Sequence, residues 1–176
     1  MAGFIALHSG IAGSADVILI PEIPFDIDKV CEKIRGREAA GRHFSIVVVA
    51  EGARPCDGAI ELLERRGVGT VDRLGGMASK VARAIEVHTG KETRTLVLGH
   101  LQRGGTPTTY DRLLALRFGA AAVRAIADNA FGTMVGLNGQ DITRVPLENV
   151  VGRAKNVPLD CDTIRTARDL GICLGD

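Results

Sequence analysis

Short apolar runs rich in β-branched residues recur along this chain, separated by longer stretches whose apolar residues follow helical spacing. The runs VILIP (17–21), FSIVVVA (44–50) and TLVLG (95–99) are apolar on both faces, which is typical of strands buried in a parallel sheet. Strands that alternate with helices form a sheet covered by helices on both sides. We therefore expect an α/β fold with three layers and a doubly wound, mostly parallel sheet.

The helical stretches carry their own start and stop signals. The first covers residues 26–41, with Asp26 or Asp28 as a possible N-cap, and it ends at a glycine. The second covers residues 76–89 and also stops at a glycine, and the third follows Pro107. The further predicted elements are the rest of that third helix through 113–127, a strand at TMVGL (133–137) and a closing helix over 161–170. No internal repeat or low-complexity tract is visible, so we predict one α/β domain over residues 1–176.

Composition narrows the class of partner. Lys plus Arg total 22 against 21 for Asp plus Glu, so the chain lacks the basic footprint of a nucleic-acid-binding protein. Aromatic residues make up only 3%, which leaves few platforms for stacking bases. The apolar runs are far shorter than a membrane span. A small molecule is the expected partner, with neither nucleic acid nor membrane.

The four cysteines show no pattern of a metal site or a disulfide framework. None belongs to a C-x-x-C pair or lies near a histidine at ligand spacing, so we expect reduced thiols and no structural zinc. The opening sequence lacks a basic region and a signal-peptidase site. By elimination, the sequence predicts a cytoplasmic protein.

Polar residues that suit an anionic sugar follow two of the predicted strands. Glu51 comes directly after FSIVVVA, and His100 and Arg103 follow TLVLG just before Gly104 and Gly105. Ligands of open α/β sheets bind at the carboxyl ends of strands. A guanidinium can grip a phosphate with two hydrogen bonds, glycines expose backbone N–H groups, and a carboxylate accepts from sugar hydroxyls. The alternative is that Arg103 caps a neighbouring element and His100 is an ordinary loop histidine.

Arg94 stands at the other end of the TLVLG run. Six residues of extended chain at roughly 3.3 Å each would place it about 20 Å from His100. The two side chains could not then hold one ligand within a single chain, so joint binding would need a neighbouring subunit. The alternative is a solvated arginine at a strand end.

The chain begins inside a helical pattern, AGFIALHSGIAGSAD, with no entry strand before it. This favours a cut within a larger protein, with Met1 supplied as a start. A naturally short N-terminus is the alternative.

These segments together resemble one family. TGKETRTLVLGHLQRGGTPTTYDRLLALRFGAAAV (89–123) is similar to the most diagnostic stretch of the 6-phosphofructokinases. AGFIALHSGIAGSADVILIPE (2–22) resembles that family's helix and strand after its Met-Gly-Arg turn, and FSIVVVAEG (44–52) resembles the strand that ends in its substrate-binding glutamate. The similarity extends from residue 2 to about residue 140 and implies the substrate-binding half of the phosphofructokinase fold.

The resemblance implies a role for each matching residue. Glu51, His100 and Arg103 would bind fructose 6-phosphate, with Arg103 pairing with the 6-phosphate and Glu51 holding the sugar. Arg94 would reach the 6-phosphate held by an adjacent subunit of a homo-oligomer. Asp16 aligns with an acidic residue of the family's effector pocket, where it would help to hold a metal or a nucleotide phosphate chain.

The sequence also departs from the family pattern. Neither the Gly-Gly-Asp donor loop nor the Thr-x-Asp-x-Asp catalytic segment occurs, and the Met-Gly-Arg turn is missing. The resemblance therefore implies the C-terminal, fructose-6-phosphate-binding part of a glycolytic kinase, with no catalytic or metal-binding residue of its own and no activity alone. Mg²⁺ and the donor, ATP or pyrophosphate, would bind through the missing half.

Two expectations stay open at this point. Arg42-His43 stands where some bacterial members have paired lysines, so the family's allosteric control by nucleotides does not follow directly. A non-catalytic sugar-phosphate-binding or regulatory domain on the same scaffold is the alternative to an enzyme, because one fold can serve several functions.

Overall fold

The computed structural model describes residues 3–56, 76–152 and 155–176. In chain order, the helices are α1 (Phe4–Ala12), α2 (Ile27–Ala39), α3 (Met77–Thr89), α4 (Thr109–Ala127) and α5 (Asp162–Asp169), and the strands are β1 (Val17–Leu19), β2 (Val47–Val49), β3 (Thr133–Asn138) and β4 (Asp141–Pro146). Over those ranges, no helix is long and apolar enough to cross a membrane.

The residues group into two compact units, one within Met1–Val97 and Ala154–Asp176 and the other within Leu98–Arg153. The first unit contains β1, β2 and four of the helices, whereas α4, β3 and β4 belong to the second. That all 176 residues act as one domain stays a prediction.

A short parallel sheet forms the centre of the first unit. β1 pairs with β2 so that Val17 lies opposite Val47, and on its other side Val17 forms a parallel bridge with Cys173. β1 is fully buried, whereas β2 is half-buried. The strands predicted at 17–21 and 44–50 are confirmed, although each is shorter than its apolar run.

β1 separates two hydrophobic cores because its side chains alternate between the faces of the sheet. Val17 and Leu19 lie in a core that α2 and α3 complete. Ile18 lies in a second core, formed with residues of α1 and α5. Helices therefore cover both faces of the sheet, which confirms the prediction of a three-layer α/β fold.

Local sequence signals set the ends of the helices. The Asp26 carboxylate accepts the N–H of Asp28 at 2.8 Å, so Asp26 is the N-cap of α2. α3 ends at Gly90, whose φ of +71° is a left-handed conformation that glycine adopts without strain. The predicted helices over 26–41, 76–89 and 161–170 are confirmed.

The second unit combines α4 with an antiparallel hairpin. Thr108 and Asp111 form a capping box at the start of α4: each side chain accepts the backbone N–H of the other residue. β3 pairs with β4 along their full lengths, and α4 packs against both strands. The predicted helix after Pro107 and the predicted strand at 133–137 are confirmed, whereas β4 was not predicted.

The predicted strand at 95–99 is wrong. Leu96, Val97 and Leu98 are exposed, and no other strand of the described residues pairs with this run. The backbone instead winds into a 3₁₀ helix at Gly99–Arg103. An apolar, β-branched run becomes a strand only where a neighbouring strand completes its hydrogen bonds. The 20 Å separation between Arg94 and His100 was inferred from that strand and loses its basis without it.

Candidate functional site

Glu51 lies at the carboxyl end of β2, as the sequence predicts. Ala50, the residue before it, donates its N–H to the carbonyl of Leu19 on β1 at 2.9 Å, so the strand pairing continues up to the turn. The chain then turns, with the N–H of Ala53 bonded to the carbonyl of Ala50 at 3.0 Å. The exposed carboxylate of Glu51 is thereby placed on a fixed backbone at the edge of the sheet.

The carboxylate of Glu51 also lies at the amino end of α3. Gly76 is the N-cap of this helix, and a Cβ atom added to Gly76 would stand 2.6 Å from Glu51 Oε2 and 2.9 Å from Oε1. A helix N-terminus carries partial positive charge, which favours a carboxylate there. Gly76 therefore provides the space that Glu51 occupies. This role of Gly76 was not predicted, although a Gly-Gly pair directly before a helix is a signal for it.

His100 and Arg103 share the 3₁₀ helix at Gly99–Arg103 in the second unit. Because side chains three residues apart eclipse one another in a 3₁₀ helix, the imidazole and the guanidinium project on the same side. Both residues are exposed. The 3₁₀ winding brings these two predicted ligands together, although the sequence placed them after a strand.

The backbone that follows Arg103 leads from this 3₁₀ helix to the start of α4. Gly105 has a φ of +94°, which glycine alone adopts readily, and Thr108 then caps α4. The amino end of a helix favours anions through its free N–H groups and its dipole. Imidazole, guanidinium, a glycine turn and a helix N-terminus thus follow one another within ten residues of sequence.

Arg94 lies in the first unit, in the segment between α3 and the 3₁₀ helix. Its guanidinium pairs with the carboxylate of Glu92 at 3.0 Å. The two side chains are 89% and 75% exposed, so this ion pair is a weak surface interaction. Glu51 and Arg94 belong to the first unit, and His100 and Arg103 to the second.

Asp16 immediately precedes β1, and both of its carboxylate oxygens have partners. Oδ1 pairs with the Arg37 guanidinium of α2 at 2.7 Å, and Oδ2 accepts the N–H of Ile46 at 2.8 Å. Its side chain is only 11% exposed. A metal ion would have to displace these partners, so the carboxylate does not fit Mg²⁺ as it stands, and a nucleotide phosphate would compete with the carboxylate for Arg37.

The surface beside Asp16 is basic. Arg37 also lines a cavity of about 700 Å³ together with Lys29, Lys33 and Arg42. Glu32 and Asp176 offset part of this charge. Across the described ranges, no group of three or more His, Cys, Asp or Glu side chains is placed to hold a metal. The cavity therefore suits an anionic ligand better than a cation.

Comparison with known proteins relates this geometry to one family. The sequence model of the phosphofructokinase family matches residues 1–126. The chain is 54% identical over 174 residues to an ATP-dependent 6-phosphofructokinase of Chloroflexus aggregans, covering 99% of this chain and 47% of that protein. It is 52% identical over 160 residues to a pyrophosphate–fructose 6-phosphate 1-phosphotransferase of Amycolatopsis methanolica, covering 89% of this chain and 46% of that protein.

Solved structures agree with the sequence comparison. The phosphofructokinase of Pichia pastoris, crystallised in the T-state, matches with a TM-score of 0.64 and 30% identity over 96% of this chain and 16% of its own. The chain spans about half the length of the curated relatives that it matches. On this evidence, the chain belongs to the phosphofructokinase family.

Proposed function

We propose that this chain is the C-terminal, fructose-6-phosphate-binding part of a 6-phosphofructokinase. The complete enzyme would transfer a phosphoryl group to the 1-hydroxyl of fructose 6-phosphate and form fructose 1,6-bisphosphate. The observation that carries the proposal is the 3₁₀ helix that puts His100 and Arg103 on one side, directly before a glycine turn and the capped start of α4. The substrate class, fructose 6-phosphate, is inferred from the relatives, which are a 6-phosphofructokinase and a pyrophosphate–fructose 6-phosphate 1-phosphotransferase.

Each site residue has a distinct role in this proposal. Arg103 forms charge-assisted hydrogen bonds with the 6-phosphate, His100 adds a further donor, and Glu51 accepts from sugar hydroxyls. Arg94 completes the phosphate site of a neighbouring subunit, for which its 89% exposed side chain is suited. Together these groups bind the acceptor sugar, orient it and offset the charge of its phosphate.

Phosphoryl transfer depends mostly on positioning and on stabilisation of charge. The proton of the 1-hydroxyl would pass to a carboxylate outside these 176 residues, since the family's catalytic segment does not occur in them. The Mg²⁺ that the resemblance implies belongs with the donor phosphates.

The donor is ATP or pyrophosphate. Relatives of both kinds match at nearly equal identity, 54% and 52%, so the present chain does not discriminate between them. The basic cavity beside Asp16 is proposed as the counterpart of the family's effector pocket. A glycolytic role would place the enzyme in the cytoplasm.

The test is a kinetic comparison of the complete enzyme with two variants. Arg103→Ala and Glu51→Ala each remove a charge-assisted hydrogen bond, which is worth about 1.5–3 kcal/mol. KM for fructose 6-phosphate should therefore rise by roughly tenfold or more, since 1.4 kcal/mol is a factor of ten. Unchanged KM and kcat in both variants would mean that these residues do not bind the sugar.

A non-catalytic sugar-phosphate-binding or regulatory domain is the second candidate. It is favoured by one observation, namely that the family's donor loop and catalytic segment do not occur in these 176 residues. Sequencing upstream of the present start decides between the two functions. A Gly-Gly-Asp loop and a Thr-x-Asp-x-Asp segment in the same reading frame would support the enzyme.

A further inference from the structure

Side chains of two helices hold the segment that carries Arg94. The N–H of Thr93 donates to the carboxylate of Glu86 on α3 at 2.9 Å. Two residues earlier, the ammonium of Lys91 pairs with the carboxylate of Glu38 on α2 at 2.5 Å. The backbone of Thr93 is thus bonded directly to α3, and the side chain of Lys91 links the same segment to α2.

The two anchoring helices are themselves tied together. Arg35 on α2 donates to the carbonyl of His88 at the end of α3, at 2.6 Å. Ile34 of α2 and Ile85 of α3 are buried in the same hydrophobic core. Glu38 and Glu86 thus project from one packed pair of helices.

The side chain of Arg94, in contrast, is exposed and pairs only weakly with Glu92. Binding then requires ordering of this side chain but not of its backbone. Ordering a backbone segment on binding costs conformational entropy, so a backbone held in advance lowers the entropic cost of binding. The two glutamates act on the position of Arg94 without touching a ligand themselves.

We propose that Glu38 and Glu86 are positioning residues for Arg94. They hold residues 91–94 so that the guanidinium is presented to the sugar phosphate of a neighbouring subunit. This inference rests on the proposed function, in which Arg94 binds that phosphate. The hydrogen bond from Lys91 lowers the pKa of the Glu38 carboxyl below its ordinary value.

The first experiment measures amide hydrogen exchange by NMR in the 176-residue chain. Glu86→Ala leaves the N–H of Thr93 without its acceptor, so its exchange should accelerate about tenfold or more. Glu86→Gln keeps an acceptor oxygen at the same place and should retain the protection. Glu32→Ala, which removes an exposed glutamate elsewhere on α2, is the matched control.

The second experiment measures kinetics of the complete enzyme. Glu86→Ala and Glu38→Lys should each raise KM for fructose 6-phosphate about threefold to tenfold, with kcat changed by less than about twofold. Glu86→Gln should keep the KM of the wild type, since the acceptor oxygen remains. Adding Lys91→Glu to Glu38→Lys should restore KM, since it reverses the ion pair. A purely structural role would lower kcat or the free energy of unfolding as well, and would not confine the effect to KM for fructose 6-phosphate.

The outcomes separate this inference from the function on which it rests. If Arg94→Ala raises KM while Glu86→Ala and Glu38→Lys do not, the positioning role is wrong and the proposed function stands. If Arg94→Ala itself leaves KM unchanged, both the role of Arg94 and its positioning fall. Unchanged exchange of Thr93 in Glu86→Ala also overturns the inference.

Discussion

Gly76 and Glu51 are 25 positions apart in the sequence, yet a Cβ atom on Gly76 would stand 2.6 Å from Glu51 Oε2. The backbone does not require glycine here, because φ at Gly76 is −57°, which any residue adopts. Glycine is needed at position 76 because a side chain there would collide with the carboxylate of Glu51. Any larger residue at position 76 must displace Glu51.

Gly76→Ala therefore separates binding from stability. The displaced group is the flexible end of a side chain, so the free energy of unfolding should change by less than about 1 kcal/mol. KM for fructose 6-phosphate in the complete enzyme should rise about threefold to tenfold as the carboxylate leaves its position. Gly36→Ala is the matched control, because a Cβ atom there meets nothing within 4 Å. A raised KM in the control, or none in Gly76→Ala, would contradict the assignment.

Arg94 is expected to act across a subunit interface. One inactive enzyme carries Arg94→Ala, and the other carries His100→Ala with Arg103→Ala. Mixing and reassembly should restore part of the activity, because some interfaces then join an intact Arg94 to an intact partner site. Cross-linking the oligomers before mixing should abolish the recovery. Freely exchanging subunits that show no recovery at any ratio would assign Arg94 to an ordinary surface position.

The 176-residue chain alone should catalyse no measurable phosphoryl transfer. The family's donor loop and catalytic carboxylates do not occur in its sequence. The measurement is a coupled assay with fructose 6-phosphate, Mg²⁺ and either ATP or pyrophosphate, with the complete enzyme as positive control. Turnover that stays with the chain through further purification would show that catalytic groups have been overlooked.

Acid should weaken the capping box at the start of α4. Hydrogen bonds from the Thr108 side chain and backbone lower the pKa of Asp111 below its ordinary value of 3.8. A lowered folded-state pKa stabilises the fold above the unfolded value, and this contribution is lost as pH falls through the folded pKa. The difference in unfolding free energy between the wild type and Asp111→Asn should therefore be constant above about pH 5 and shrink below about pH 4. Denaturant unfolding at several pH values measures it, and parallel curves down to pH 2 would rule out this effect.

Helix boundaries were predictable because they depend on neighbouring residues. Asp26, Gly90 and the capping box at Thr108 act within a few positions of the helix ends that they define. The absence of a strand at 95–99 was not predictable in the same way, because strand formation needs a partner that a local pattern cannot reveal. β4 was missed for the converse reason. Its partner β3 supplies the pairing, although its own sequence, DITRVP, is only half apolar.

The candidate site shows the same difference between local features, which were predicted, and tertiary ones, which were not. Residue types at the ends of apolar runs were sufficient to select Glu51, His100 and Arg103. The arrangement of His100 and Arg103 on one side depends on 3₁₀ winding, and the contact between Glu51 and Gly76 depends on how α3 is placed. Such relationships follow from tertiary packing, and a single sequence does not encode them in any short pattern.

The position of β1 between two cores has a mechanical consequence. Val17 and Leu19 belong to one core and Ile18 to the other, so three consecutive residues join both. Deleting one of them would shift the alternation by one place and turn each side chain toward the opposite core. In the intact chain, β1 belongs to both cores, so we expect that loss of one core of the first unit also disrupts the other. Heat or denaturant should disrupt both in one cooperative transition, with β1 as the coupling element.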